Sequence, residues 1–470
     1  MKTIPLAWLL PFLLLPLGLR GQGAQLPPGF AQMLIADGLD PTTMALAPDG
    51  RIFIAEKNGR VLIVEDDQLL PDPFIELEVD NFNERGLSGI AFHPDFEFNH
   101  WVYLYYTVPG ANHNRIIRVL ANGDFALPGS EEVLLDLDPL GGTIHNGGAM
   151  LFGPDGKLYV AVGDGAVGAN GQNLNNLLGK ILRLNDDGSI PFDNPFINQT
   201  TGKNRAIWAY GLRNPFTMAV QPGTGRIFAN DVGSDAFEEV NAIERGANFG
   251  WNLVEGFFGG QTPPPNYKDP LYAYSHDEGC SIIGAAFYNP ETLQFPPEYE
   301  GRYFFADYCQ GYIKTLDPAT GQVLSTFATD INRPLAILFT PQGDMYYLER
   351  AGLGGGSQVD NTSTDDGKLW KVFFTGSGAP FISSHPRDVL VPIGESAAFS
   401  VTANGAPPLQ FQWFENGLPL PGGTEPTLLL EDVQLAQDHN SYFCIVSNAE
   451  GADTSLSATL VVTPNTRPSP

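Results

Sequence analysis

The chain has 470 residues, enough for two or more domains with full cores, and its 53 Asp+Glu outweigh 25 Lys+Arg for a formal net charge of −28. That balance argues against nucleic acid or an anionic membrane surface as partner, because both are recognised through positive charge. The 53 Gly and 39 Pro, spread along the whole chain, point to many tight turns rather than to disorder.

The N-terminus reads as a targeting segment. Lys2 supplies a positive charge, Ile4–Leu19 is apolar, and small residues around Gly23 and Ala24 offer a cleavage site. A secretory signal peptide is therefore expected over residues 1–24, with a secreted or, in a bacterium, periplasmic mature chain. No other apolar run approaches membrane-spanning length, so no membrane insertion is expected. In an oxidising compartment three cysteines imply one pair and one left over.

From Leu26 one pattern recurs: an apolar segment, a Pro-containing turn with Gly or Asp, and a β-rich strand. It appears as ALAPDGRIFIAE (Ala45–Glu56), AFHPDFEFNHWVYLYYT (Ala91–Thr107) and MLFGPDGKLYVAVGD (Met150–Asp164). Three further copies follow over Ala219–Gly233, Ala286–Tyr308 and Leu338–Arg350. The turn prolines are Pro48, Pro94, Pro154, Pro222, Pro290 and Pro341. Helical signals are nearly absent, since Gly and Pro interrupt every long window. Repeats of several short strands predict an all-β chain with a six-bladed β-propeller over residues 25–374. An array of β-sandwiches fits the composition but not the even spacing.

The third copy draws the eye to Gly142–Asp164, GTIHNGGAMLFGPDGKLYVAVGD. Gly153-Pro154-Asp155-Gly156 is a turn between two apolar runs, with proline presetting φ and glycine accepting positive φ. His145 then stands just before the first strand of a hairpin and Asp164 just after the second. Antiparallel pairing makes those ends neighbours, where a carboxylate orients an imidazole as a general base.

Cys280 and Cys309 flank the fifth copy. If its strands fold antiparallel the two ends meet, and a disulfide closes the loop. TGSGAP at residues 375–380 reads as a linker. Residues 381–463 read as the short alternating strands of an immunoglobulin-like β-sandwich, with Trp413 as its buried tryptophan and Asp438–Cys444 as a tyrosine-corner run. The expected partner cysteine position is Val401, so Cys444 is expected to be a buried free thiol. Residues 464–470 are expected to form a disordered tail.

The propeller region resembles the glucose/sorbosone dehydrogenase family, which includes soluble quinoprotein sugar dehydrogenases using pyrroloquinoline quinone (PQQ). The resemblance rests on Glu84-Arg85-Gly86-Leu87, His145-Asn146-Gly147-Gly148, Gly179–Arg183 and Asp193-Asn194-Pro195. It continues through Gly211–Pro215, Asp231-Val232-Gly233, Glu238–Asn241 and Asn248–Trp251, and it spans Leu26–Val372. It implies that His145 takes the proton of an aldose's anomeric hydroxyl while hydride passes to the quinone, with Asp164 orienting the imidazole. It implies that Arg213 faces the quinone carbonyl as a fixed cation, and that Glu84, His145, Asn214 and Arg333 also contact the cofactor. It further implies Ca²⁺ at Val232, Gly233 and Ser234, partly through backbone carbonyls.

The sequence also departs from the family. The cofactor-binding lysine of the fifth blade aligns with Cys309 or Gln310, and Pro334 and Leu335 stand where a second carboxylate-binding arginine is expected. Lys314 and Arg350 are the candidate substitutes. By residue type alone, Arg213 suits a pair with one of the many acids better than a cofactor contact, Asp231 and Glu239 suit turn and edge positions, and His93, His113, His276, His385 and His439 suit structural roles. The expected function is PQQ-dependent oxidation of an aldose to its lactone, with the electron acceptor open. The alternative is a non-catalytic secreted propeller that binds carbohydrate or protein; a hydrolytic propeller is weaker, lacking a second acid/base pair. The immunoglobulin-like module is expected to contact a surface glycan or protein.

Overall fold

Each of the six turn prolines falls between the first and second strands of its own sheet. A computed structural model describes residues 23–260, 262–352, 361–376, 378–406 and 408–464. The expected signal peptide, but for its last two residues, and the expected tail, but for Pro464, lie outside the described residues.

Among the described residues up to Phe374 there are six antiparallel sheets of four or five strands. Their first strands are Pro41–Leu46, Leu87–Phe92, Gly147–Phe152, Pro215–Val220, Ile282–Phe287 and Pro334–Phe339. Each first strand lies against the next, and Pro334–Phe339 returns to Pro41–Leu46. Each neighbouring pair of sheets encloses its own apolar cluster. Phe53, Phe74 and Phe92 fill the space between the first and second sheets, and Ile227, Ala209 and Phe249 that between the third and fourth. Central strands such as Ile52–Glu56 and Tyr303–Asp307 are therefore buried along their whole length. That explains the apolar runs Ile52–Ala55 and Tyr303–Ala306 within them: both faces meet a neighbouring sheet. Each fully buried Phe or Ile contributes roughly 1.5–3 kcal/mol.

One strand stands outside the repeat. Phe30–Leu39 pairs antiparallel with Gly367–Phe374, from Phe30 opposite Phe374 to Leu39 opposite Gly367, and completes the sixth sheet. Its alternation is weak because much of it is half-buried or exposed. The first and last parts of this region are thus joined by hydrogen bonds rather than only by contact.

From Phe381 a second set of strands surrounds a separate core. Trp413 and Cys444 sit opposite each other on paired strands, both fully buried, and Cys444 is a free thiol sharing its core with Val401. Tyr442 departs from the expected corner: its hydroxyl donates to the Glu415 carboxylate on the paired strand at 2.6 Å. Among the described residues no helix is long and apolar enough to cross a membrane.

Candidate functional site

A cavity of about 840 Å³ opens where the residues flanking the first and second strands of the sheets converge. Of the expected site residues, Glu84, His145, Arg213, Asn214, Val232, Gly233, Ser234 and Arg333 line it. Asp164 stands behind His145, 1% exposed.

The His145 corner follows from the hairpin. Gly147 pairs with Val162 across Gly147–Phe152 and Leu158–Val162, which brings the two flanking segments together. His145 takes a left-handed backbone, φ 59°, held by its N–H donating to Glu84 Oε2 at 2.8 Å. Gly163 is needed beside it, because a Cβ there would lie 2.1 Å from the His145 carbonyl oxygen. The His145 Nδ1–H donates to Asp164 Oδ1 at 2.8 Å, which leaves Nε2 as the basic nitrogen. Asp164 is fixed in turn: Oδ1 also accepts from the Ala166 N–H, and Oδ2 accepts from Trp251 Nε1, both at 2.8 Å.

Arg213 and Asn214 lead into the fourth sheet. Their backbone N–H groups donate to the Asp231 carboxylate at 3.0 and 2.7 Å. Burial pushes Asp231 up to about 7 despite those bonds. Asn214 Oδ1 accepts from the Gly147 N–H at 3.0 Å and so ties the third and fourth sheets together at the cavity. The Arg213 guanidinium lies 5.6 Å from the Trp251 ring and donates from Nη1 to the Val232 carbonyl at 3.0 Å. Its Nε is buried with no hydrogen-bond partner among the described residues. On the far side, Arg333, also left-handed at φ 60°, packs 5.7 Å from the Tyr308 ring. Tyr308 precedes Cys309, which forms a disulfide with Cys280 at a Cα separation of 5.8 Å. The expected closure holds because Ile282 pairs with Asp307. Asp307 accepts the N–H groups of Cys280, Ser281, Cys309 and Gln310 and so shapes that wall.

The lining suits a polyanion. It holds Lys57, Arg213, Arg333 and Arg350 against one carboxylate, Glu84, in a chain where acids outnumber bases two to one. An aromatic tricarboxylate such as PQQ meets that charge. Calcium is fitted less well. The Val232 carbonyl is already an acceptor for Arg213, and the N–H groups of Gly233 and Ser234 point to Glu238 and Glu255. No group of three or more His, Cys, Asp or Glu side chains able to hold a metal occurs among the described residues. The loop thus offers no cluster of carboxylates toward the six to eight oxygens calcium takes, and Glu255 there is engaged by the backbone N–H groups of Ser234 and Asp235.

Sequence reading missed Lys57, Trp251 and Tyr308 as site residues, and it placed Arg350 only as a substitute. Lys57, Val232, Tyr308 and Arg350 each immediately follow the second strand of a sheet. Superimposing the six repeats on one another would have exposed that shared position. Lys314 does not reach the cavity; it pairs with Glu278 at 3.7 Å over the Tyr312 ring.

A family model described as Glucose / Sorbosone dehydrogenase matches residues 39–354, and one described as Immunoglobulin domain matches residues 379–448. The aldose sugar dehydrogenase YliI of Escherichia coli (strain K12) is 27% identical over 355 residues, covering 72% of this chain and 91% of that protein. The PQQ-bound form of aldose sugar dehydrogenase (Adh) from Streptomyces coelicolor is similar in structure, with a TM-score of 0.58 and 26% identity over 74% of this chain and 100% of that one. The Hedgehog-interacting protein of Mus musculus is 31% identical over 211 residues, covering 38% of this chain and 30% of that protein.

Proposed function

The chain belongs to the glucose/sorbosone dehydrogenase family, and from that premise we propose that it is a PQQ-dependent oxidoreductase that oxidises aldose sugars at the anomeric carbon to lactones. We read residues 25–374 as a six-bladed β-propeller, 375–380 as a linker and 381–463 as an immunoglobulin-like domain, exported behind the signal peptide at 1–24.

The observation that carries this reading is the His145–Asp164 pair, 2.8 Å apart, at the edge of a cation-lined cavity. With Nδ1–H committed to Asp164, Nε2 accepts the proton of the anomeric hydroxyl, and the carboxylate stabilises the imidazolium that forms. Bound PQQ would supply the two-electron acceptor for the hydride leaving C1. Arg213, held by Asp231 and Val232, is a preset cation for the negative charge that develops opposite the base. Asn214 holds the two sheets in register, and Glu84 holds the His145 backbone. Arg333 would meet a cofactor carboxylate. Calcium at Val232, Gly233 and Ser234 would need most of its oxygens from the cofactor and water.

Two observations favour a second reading, a non-catalytic propeller binding carbohydrate or protein. Cys309 and Gln310 line the cavity where the family's lysine is expected, and a Hedgehog-interacting protein shares part of the chain. An assay separates them: the full chain with PQQ, calcium and a dye acceptor is offered a panel of aldoses. Sugar-dependent dye reduction is expected, falling about 100- to 10,000-fold in His145→Ala. Absence of PQQ binding together with absence of turnover on any aldose would leave the binding reading.

A further inference from the structure

Two cations of the cavity have no assigned contact in the proposed proton and hydride transfer. Lys57 follows the second strand of the first sheet, and Arg350 follows the second strand of the neighbouring sixth sheet. Both side chains are largely buried, yet both residues line the cavity. Arg350 is held in place by Asp40 Oδ1 at 3.0 Å, the Pro41 carbonyl at 3.2 Å and the Asn361 carbonyl at 3.3 Å. Among the described residues the Arg85 carbonyl is the one hydrogen-bond acceptor for Lys57 Nζ, and an ammonium carries three N–H donors. Asp40, which accepts from Arg350, is itself buried and is not part of the lining. Among the described residues, two cationic heads therefore stand on one wall, with Asp40 behind them and Glu84 the one carboxylate in the lining beside them.

Resting on the quinone reading, we propose that Lys57 and Arg350 form a carboxylate-binding wall that replaces the cationic partners missing from the fifth sheet and from position 335. The chemistry they would recognise is a planar or sugar-borne carboxylate held by a fixed guanidinium and a point-charge ammonium. Lys57 adds a signature. Burial first, then the nearby Arg350, pushes it down to about 7 against the pull of Asp40, Glu84 and Asp80. An incoming carboxylate favours the charged form, so ligand binding above pH 7 takes up a proton.

The test is an equilibrium titration of PQQ into the full-length protein, Lys57→Gln, Arg350→Lys and Lys314→Gln, with D-glucuronate as a second probe. Arg350→Lys keeps a cation beside Asp40, and thermal melts establish that each variant is folded. PQQ affinity is expected to fall at least tenfold in Lys57→Gln and in Arg350→Lys and to stay within about twofold in Lys314→Gln. Calorimetry at pH 8 in two buffers of different ionisation enthalpy is expected to show proton uptake by the parent and none by Lys57→Gln. Equal PQQ affinity in the parent and both wall variants overturns the wall while leaving the dehydrogenase reading intact. If the parent does not bind PQQ, that reading fails by itself. Glucuronate binding lost in Lys57→Gln would then support the wall with a sugar acid as its ligand, and no glucuronate binding overturns the wall as well.

Discussion

The Asp164 carboxylate accepts three hydrogen bonds, from the His145 ring, the Ala166 backbone and the Trp251 indole. Replacement by Asn keeps the shape but removes the charge that favours Nδ1–H and stabilises an imidazolium. Asp164→Asn is therefore expected to lower kcat about 100-fold or more with KM little changed, measured by steady-state dye reduction. A large rise in KM at unchanged kcat would instead mark Asp164 as a binding residue. At this scale His145 and Asp164 were legible because one Pro-Asp-Gly turn sets the hairpin register. Lys57 was not, since a lysine after IAE and before Asn-Gly reads as an ordinary solvated turn residue. Its burial is imposed by Arg85 and Asp40, which come from neighbouring segments.

The family motifs turn out to be largely scaffold when traced element by element. Arg183 binds Asp155 and Asp193 at 2.8 Å, and Lys180 is caged by the carbonyls of Asn170, Gly171 and Leu178. Asp155, which the sequence explains as a turn residue alone, is thus also an anchor for the third sheet. In the fourth sheet, burial pushes Glu239 up to about 8, and the neighbouring Asp231 adds to the shift. A raised carboxylate pKa means that the folded chain holds a proton the unfolded chain has released. The stability from that proton is complete at pH near 4 and is lost as pH rises through about 8. Glu239→Gln is expected to match or trail the parent at pH 5 and to exceed it in melting temperature at pH 9. Comparing parent with variant cancels the opposite trend of Lys57 and Lys180, both of which burial pushes down to about 7, and an unchanged difference across pH would contradict the assignment. The Cys280–Cys309 disulfide closes a separation of 29 residues at the cavity wall. Replacing both by Ser is expected to cost about 3–4 kcal/mol in denaturant unfolding.

Across the whole molecule the repeat was readable and its closure was not. Turn prolines announce each first hairpin, because the same strand–turn–strand unit is built six times. Phe30–Leu39 carries no such turn and gains its place only by pairing with Gly367–Phe374, more than three hundred residues later. The immunoglobulin-like core was legible through Trp413 and Cys444, whereas the Tyr442–Glu415 bond needed the paired strand. Trp413→Ala is expected to destabilise that domain by about 3–5 kcal/mol while leaving aldose oxidation unchanged, read from separate melting transitions and from turnover.

Proton removal by His145 from a sugar as it is oxidised in this cavity is tested under anaerobic conditions: load the full chain with PQQ, add one equivalent of aldose, and follow the quinone absorbance. Stoichiometric reduction by at least one aldose is expected, with its loss in His145→Ala at matched PQQ occupancy. Full occupancy with no spectral change for any aldose, or equal reduction in parent and variant, would contradict it.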